Sequence, residues 1–177
     1  MPLKITRTEL DEVIVVEPEV FTDPRGIFYE SYARNRYQDL GIVDEFVQDN
    51  HSISKKNVLR GLHYQVGEAQ AKLVRVGVGE VFDVAVDIRK NSPGFGKWVG
   101  VRLSAENKKQ MYIPAGFAHG FCALTENAEV LYKCSAYYSA KDDRGILWDD
   151  EDIAIDWPVK DPILSEKDRH NPKLKDI

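Results

Sequence analysis

Short apolar runs separated by turn-forming residues make up most of the chain. Runs rich in valine, isoleucine, phenylalanine and tyrosine alternate with glycine, proline, asparagine and aspartate, which is the pattern of strands joined by tight turns. Strands are predicted at residues 13–16, 26–32, 45–52, 58–65, 71–78, 80–88, 98–103, 109–113, 119–123 and 130–138. So many short strands predict a mainly β protein, either an antiparallel sandwich or a closed barrel.

Helical patterns are few and short. Residues 33–41, ARNRYQDLG, end in a glycine suited to a helix C-cap, and residues 165–170, SEKDRH, begin with a Ser-x-x-Asp helix start. The segment from about residue 156 to residue 177 contains three prolines and is predicted to wrap around the strands rather than add to them. Because 177 residues require only one core, we predict a single domain over residues 1–177.

Charge and composition argue against several classes of partner. The net charge of −5 comes from 24 basic and 29 acidic residues that are interspersed, so there is no basic stripe for a nucleic acid. The N-terminal apolar run, Val13 to Val16, is far shorter than the roughly 20 residues of a membrane span. Cys122 and Cys134 lie in apolar runs and are predicted to be buried, reduced thiols. We therefore expect a soluble, cytoplasmic protein.

Strand alternation places three polar side chains in apolar surroundings. Lys72 shares a face with valines of residues 71–78, so it either reaches solvent from a rim or meets an anion in a cavity. Tyr132 shares a largely apolar face with Tyr138, where ordinary core tyrosines with bonded hydroxyls are the simplest interpretation. His63 lies in VLRGLHYQ, a run otherwise suited to a core; taken alone, it is an ordinary core histidine.

The turn PAGFAH, residues 114–119, resembles the second cupin motif, P-x-G-x-x-H, which aims a histidine into a small β-barrel. The first cupin motif supplies two metal-binding histidines as H-x-H, whereas this chain has His63-Tyr64-Gln65. His63 and His119 alone do not complete a facial metal triad, so we expect no metal. A histidine, a lysine and a tyrosine in such a cavity suit proton abstraction beside a carbonyl and reprotonation on the opposite face, which is epimerisation.

Ordered segments across most of the chain carry a more specific resemblance. They lie between about residue 17 and about residue 172 and include FTDPRGIFYESY, FVQDNHSIS, VLRGLHYQ, QAKLVRV, IPAGFAHGF, LYKCSAYY, RGILWDD and LSEKDR. In this order they resemble the dTDP-4-dehydrorhamnose 3,5-epimerases. The resemblance implies a cupin-like homodimer that converts dTDP-4-keto-6-deoxy-D-glucose into dTDP-4-keto-L-rhamnose without a cofactor.

The resemblance also implies the roles of individual residues. His63 matches the base for the C3 and C5 protons, Asp168 its carboxylate partner, Lys72 the group that stabilises the enolate, and Tyr132 the acid. Substrate contacts are implied for Arg60 and Arg25 at the pyrophosphate, His119 near the sugar, Gln48, Asn50 and Tyr138 at the nucleotide or sugar, and Phe21 and Glu30 from the adjacent subunit. From the residues alone, Asp168 is a helix-start residue.

One implied pair conflicts with regular alternation. Arg60 and His63 fall on opposite faces of a regular strand, although the resemblance places both at the site. Gly61 lies between them, and we predict a β-bulge there that turns one side chain to the face of the other.

Three other functions stay open on the sequence. A mono-epimerase of a related dTDP-keto-sugar would keep His63 and Asp168 but exchange the proton of one carbon. A metal-dependent cupin oxygenase is disfavoured by Tyr64-Gln65. A non-catalytic sugar-nucleotide binding module would not need Tyr132 together with Asp168.

Overall fold

The computed structural model describes residues 2–177, which form two antiparallel sheets and a separate hairpin. The strands are β1 (Leu3–Arg7), β2 (Ile14–Pro18), β3 (Phe21–Asp23), β4 (Gly26–Phe28), β5 (Gln48–Lys55), β6 (Leu59–Gln65), β7 (Lys72–Val78), β8 (Glu80–Asp87), β9 (Trp98–Ser104), β10 (Gln110–Ile113), β11 (Phe117–Ala123), β12 (Asn127–Cys134) and β13 (Asp143–Gly145). The helices are α1 (Arg34–Gln38), α2 (Glu166–Arg169) and a 3-10 turn, Leu174–Asp176. No helix in the described range is long and apolar enough to cross a membrane.

The strand order makes the protein a two-sheet sandwich. The six-stranded sheet has the order β1-β2-β10-β7-β12-β5, the five-stranded sheet has the order β13-β6-β11-β8-β9, and β3 pairs with β4 alone. Within residues 2–177 no ladder of hydrogen bonds joins the two larger sheets. The predicted antiparallel β architecture is confirmed in its sandwich form, and the closed-barrel alternative is wrong.

Three apolar layers hold the sheets together. The central layer lies between them and includes Val74, Ala85 and Val130. A second layer covers the outer face of the six-stranded sheet with α1, and the third covers the outer face of the five-stranded sheet with residues 146–177. Because both faces of several strands are covered, runs such as β8 are almost entirely buried, which explains their near-continuous apolar sequence.

Two predicted strands end earlier than expected. The predicted strand 130–138 stops at Cys134, and the predicted strand 26–32 stops at Phe28. Beyond Cys134 the backbone N–H of Tyr138 donates to the side-chain oxygen of Gln48, 2.8 Å away, instead of to a neighbouring strand. Tyr138 is therefore exposed, and the expectation that it shares the face of Tyr132 is wrong.

The predicted bulge in β6 is confirmed. His63 is paired with His119 and Arg60 with Phe121, so Gly61 and Leu62 together oppose Gly120. One extra residue in β6 brings Arg60 and His63 to the same face. Gly61 has a φ of +123°, and a Cβ at this position would lie 2.6 Å from the Cα of Gly120. Only glycine fits at position 61 without backbone movement.

The C-terminal segment packs against the five-stranded sheet. Ile163 forms a parallel bridge with Val58, and Leu174 and Ile177 join the outer apolar layer. Between these contacts, the hydroxyl of Ser165 accepts a hydrogen bond of 3.1 Å from the backbone N–H of Asp168. This confirms the predicted Ser-x-x-Asp helix start and places α2 beside β6.

The close contact between the paired strands β6 and β11 at Gly61 should make the stability of the protein sensitive to one added methyl group. We predict that Gly61→Ala lowers the free energy of unfolding by about 1–3 kcal/mol more than Gly26→Ala, because the added Cβ overpacks the interior. Gly26 is a matched control, since its φ is +127° but nothing lies within 4 Å of its Cβ position. Denaturant unfolding at one protein concentration measures both variants, and equal losses would contradict the steric explanation.

Candidate active site

A cavity of about 410 Å³ opens between the two sheets and the C-terminal segment; we call it the inner cavity. Its lining residues are Ser52, Val58, Leu59, Arg60, His63, Lys72, His119, Phe121, Tyr132, Ile163, Leu164, Ser165, Lys167 and Asp168. Six residues predicted from the sequence are among them: the four expected to be catalytic, together with Arg60 and His119. Residues distant in sequence therefore meet at one site.

His63 and Asp168 form a short hydrogen bond at the edge of the inner cavity. Nε2 of His63 lies 2.6 Å from Oδ1 of Asp168, and the carboxylate is only 3% exposed. Burial acts to raise the pKa of Asp168, but hydrogen bonds from His63, Ser165 and the Gly61 backbone, together with the charge of His63, hold this pKa below its usual value. An ionised carboxylate only accepts hydrogen bonds, so we assign the proton to Nε2. Nδ1 is then free to accept a proton.

Lys72 faces the inner cavity from the opposite sheet. It lies on β7, beside Cys134 of β12 in the register, and it is buried rather than extended into solvent from a rim. Burial lowers the pKa of Lys72, while attraction to Cys134, Asp83 and Asp143 opposes the change. Within residues 2–177 no side chain forms a hydrogen bond with its ammonium group, so this cation is available to an anion in the cavity.

Tyr132 lies on the same wall as Lys72. Its register partners are Val74 on one side and Asn50 on the other. Burial raises the pKa of Tyr132, Cys134 and Asp143 raise it further, and the charge of Arg60 opposes them. The phenol therefore stays protonated at neutral pH and can donate a proton or a hydrogen bond into the cavity.

A second histidine–aspartate pair was missed by the sequence reasoning. Nε2 of His119 lies 2.8 Å from Oδ1 of Asp83, and Asp83 is completely buried. The ring of His119 also approaches the ring of Tyr132, with 6.4 Å between centroids, so it spans the gap between the sheets. One feature of the sequence could have identified this pair. Strand alternation places Asp83 among the inward-facing apolar residues of GEVFDVAV, where an acidic side chain needs a partner.

Basic side chains lie at the mouth of the inner cavity. Nε of Arg60 donates a hydrogen bond of 3.1 Å to the hydroxyl of Ser54. Lys167 also lines the cavity and forms an ion pair with Asp143. The sequence reasoning named Arg60 but missed Lys167, which reads as an ordinary surface residue of the short helix α2.

Comparison with known proteins agrees with this arrangement. The family model described as dTDP-4-dehydrorhamnose 3,5-epimerase matches residues 7–176. The chain belongs to this epimerase family. The dTDP-4-dehydrorhamnose 3,5-epimerase of Shigella flexneri is 57% identical over 176 residues, which make up 98% of this chain and 97% of that protein.

Solved structures of epimerases share the fold. A dTDP-6-deoxy-D-glucose-3,5-epimerase from Legionella pneumophila, in complex with dTDP-4-keto-L-rhamnose, is 52% identical with a TM-score of 0.96, covering 98% of this chain and 94% of its own. A 3'-monoepimerase from Streptomyces bikiniensis, in complex with dTDP-quinovose, is 31% identical with a TM-score of 0.89, covering 95% of this chain and 86% of its own. The predicted cupin-like fold of the epimerase family is thus confirmed.

Three other residues that the family resemblance singled out lie beside the inner cavity. The side-chain nitrogen of Gln48 donates to Oδ1 of Asn50 at 3.1 Å, and Gln48 also accepts the hydrogen bond from the Tyr138 backbone. Asn50 is the strand neighbour of Tyr132. Gln48, Asn50 and Tyr138 therefore form one connected polar group next to the site.

Phe21, Arg25 and Glu30 lie away from the inner cavity. Phe21 belongs to β3, and Arg25, in the turn between β3 and β4, pairs with Asp23 at 2.5 Å. Glu30 pairs with Arg36 at 2.6 Å. Within one chain these residues contribute nothing to the site. The predicted contacts of Phe21 and Glu30 with an adjacent subunit, and of Arg25 with the pyrophosphate, therefore stay predictions.

Gln65, which stands where the first cupin motif has its second histidine, has a structural contact. Its side-chain nitrogen donates to the carbonyl oxygens of Glu68 and Tyr137, at 2.7 and 3.1 Å, and its oxygen accepts from the backbone N–H of Ser139. In the described part of the chain no three His, Cys, Asp or Glu side chains are grouped as metal ligands. Gln65 thus ties two loops together.

The lowered pKa of Asp168 predicts an acid-dependent stability. The carboxylate contributes stability that is fully present above its unfolded pKa, about 3.9, and is lost as the pH falls through its lower folded pKa. The difference in the free energy of unfolding between the wild type and Asp168→Asn should therefore be constant above about pH 5 and shrink below about pH 4. Glu166→Gln, an exposed change of equal charge on the same helix, is the control. A difference that stays constant down to pH 3 would contradict the prediction.

Proposed function

We propose that this protein is a dTDP-4-dehydrorhamnose 3,5-epimerase, which inverts C3 and C5 of dTDP-4-keto-6-deoxy-D-glucose to give dTDP-4-keto-L-rhamnose. The observation that carries the proposal is the oriented His63–Asp168 pair, which faces Lys72 and Tyr132 across one cavity. Membership of the family and the sugar nucleotide bound by the Legionella relative support the substrate class.

His63 is the proposed base. The C4 ketone acidifies the protons on C3 and C5, because the carbanion formed at either carbon is delocalised onto the ketone oxygen. Nδ1 of His63 takes the proton, and the electrons of the C–H bond form the C=C bond of an enolate. The ionised Asp168 stabilises the imidazolium that results, as carboxylates do in other histidine pairs.

Lys72 is the proposed partner of the enolate oxygen. Its ammonium group is buried, has no protein hydrogen-bond partner in the described range and lines the cavity that holds His63. A fixed cation in a site that excludes water stabilises developing negative charge strongly, because no solvent must reorganise during the reaction.

Tyr132 is the proposed acid, and the two-sheet architecture explains inversion. His63 lies on β6 of the five-stranded sheet, whereas Tyr132 lies on β12 of the six-stranded sheet. A sugar ring held between them loses a proton to one wall and receives one from the other, which inverts the carbon. Solvent then reprotonates Tyr132 and removes the proton from His63, so each inversion exchanges one carbon-bound hydrogen with water.

The nucleotide is proposed to lie toward Arg60 and the polar group next to the site. Arg60 suits the pyrophosphate, because a guanidinium binds two phosphate oxygens at once. His119 is placed near the sugar, and Gln48, Asn50 and Tyr138 are the proposed contacts of the nucleotide or sugar.

We further propose a homodimer in which the partner subunit completes the site. Phe21, Ile27 and Phe28 of the β3–β4 hairpin are 43%, 52% and 62% exposed, and an exposed apolar hairpin is typical of an interface. In this arrangement the partner subunit's Phe21, the partner subunit's Arg25 and the partner subunit's Glu30 meet the nucleotide. Two free buried cysteines agree with a reducing compartment, so we place the enzyme in the cytoplasm.

Hydrogen exchange at carbon tests the proposed function directly. Incubation with dTDP-4-keto-6-deoxyglucose in D₂O should give deuterium at both C3 and C5, with dTDP-4-keto-L-rhamnose as the product seen by NMR. We expect His63→Ala to bind dTDP but to lose turnover by about a hundred- to ten-thousandfold, the usual contribution of a general base. Tyr64→Phe, on the outer face of the same strand, is the control and should keep its activity.

Each other result has a defined meaning. Exchange at one carbon alone would identify a mono-epimerase, the activity named for the Streptomyces bikiniensis relative. No exchange at either carbon, with dTDP still bound, would identify a binding module. Turnover in His63→Ala at the wild-type rate would remove His63 from the role of the base.

A further inference from the structure

Arg60 is held by a hydrogen bond that crosses from one sheet to the other. Arg60 lies on β6 of the five-stranded sheet, and Ser54 lies on β5 at the edge of the six-stranded sheet. Nε of Arg60 donates to Oγ of Ser54 over 3.1 Å. Ser54 is only 3% exposed, so its hydroxyl is a fixed acceptor on the cavity side of β5.

This contact leaves the anion-binding edge of Arg60 free. A guanidinium has five N–H donors, and Ser54 occupies the single donor on Nε. None of the ion pairs formed within residues 2–177 includes Arg60, whereas Arg25, Arg36 and Arg89 each bind a carboxylate. The four N–H groups on the two terminal nitrogens of Arg60, and its full charge, are available at the inner cavity.

We propose that Ser54 is a positioning residue that orients Arg60 for the two phosphates of the nucleotide. An arginine side chain has many rotamers, and fixing one of them on binding reduces affinity. Ser54 selects a rotamer of Arg60, which lines the inner cavity, before the substrate arrives. The inference rests on the proposed function, because it requires a phosphate-bearing ligand at Arg60.

Binding of dTDP and of thymidine separates this role from general packing. We expect Ser54→Ala to weaken dTDP binding about three- to tenfold, the factor that corresponds to one lost hydrogen bond, and to leave the binding of thymidine, which has no phosphate, unchanged. Ser54→Thr retains the hydroxyl and should restore most of the affinity. In turnover, Ser54→Ala should raise KM with little change in kcat, since Ser54 does not touch the reacting carbons.

A control and a double variant complete the experiment, with calorimetry on the full chain as the measurement. Ser104→Ala removes another buried serine hydroxyl, one that accepts from the backbone N–H of Asn107, and should change neither affinity. Because Ser54 acts through Arg60, Ser54→Ala should weaken dTDP binding no further in an Arg60→Ala background.

The outcomes separate the inference from the function on which it rests. Wild-type protein that binds no dTDP would overturn the proposed function and the inference together. If the wild type binds dTDP, two results would overturn the positioning role alone. One is an equal loss of affinity for dTDP and for thymidine in Ser54→Ala. The other is additive losses of dTDP affinity in the double variant. Unchanged dTDP binding in Ser54→Ala would overturn it as well.

Discussion

The hydrogen bond between His63 and Asp168 is the contact on which the site depends. It joins β6 to the C-terminal segment across 105 positions of sequence. Asp168 is brought there by the Ser165 cap and by the bridge of Ile163 to Val58. The carboxylate is held ionised although it is buried, because His63, Ser165 and the Gly61 backbone all form hydrogen bonds with it. The tautomer of His63 thus depends on the packing of the C-terminal segment.

The two sheets give the reaction its geometry. The histidines lie on paired positions of β6 and β11, and Lys72 and Tyr132 lie on adjacent strands of the other sheet. A ligand between the sheets meets a base on one side and a cation and an acid on the other. The bulge at Gly61 brings Arg60 to the same face of β6 as His63. The proposed base and the proposed phosphate-binding residue therefore both line the inner cavity.

The sequence predicted ten of the thirteen strands and missed the short strands β1, β3 and β13. It placed Lys72 and Tyr132 on faces shared with apolar residues, because two-residue periodicity is a local property, but it left open whether Lys72 reaches solvent or enters a cavity. It also placed the bulge, since Gly61 separates two residues assigned to one site. Asp168 required the family resemblance: locally it belongs to a helix start, which the structure also shows, and its partner lies far away in sequence. Asp83 was missed because its partner, His119, lies on a neighbouring strand. Tyr138 was misassigned because the strand ends at Cys134, and the backbone N–H of Tyr138 donates to the side chain of Gln48 instead of to a neighbouring strand.

The central claim is that Asp168 fixes the proton of the His63 ring on Nε2 and leaves Nδ1 free to act as a base. The ¹⁵N chemical shifts of the His63 ring near pH 8, in wild type and in Asp168→Ala, test this most directly. We predict a protonated Nε2 and an unprotonated Nδ1 in the wild type, and a mixture of tautomers in the variant. A wild-type ring with its proton on Nδ1, or no difference between the two proteins, would contradict the account.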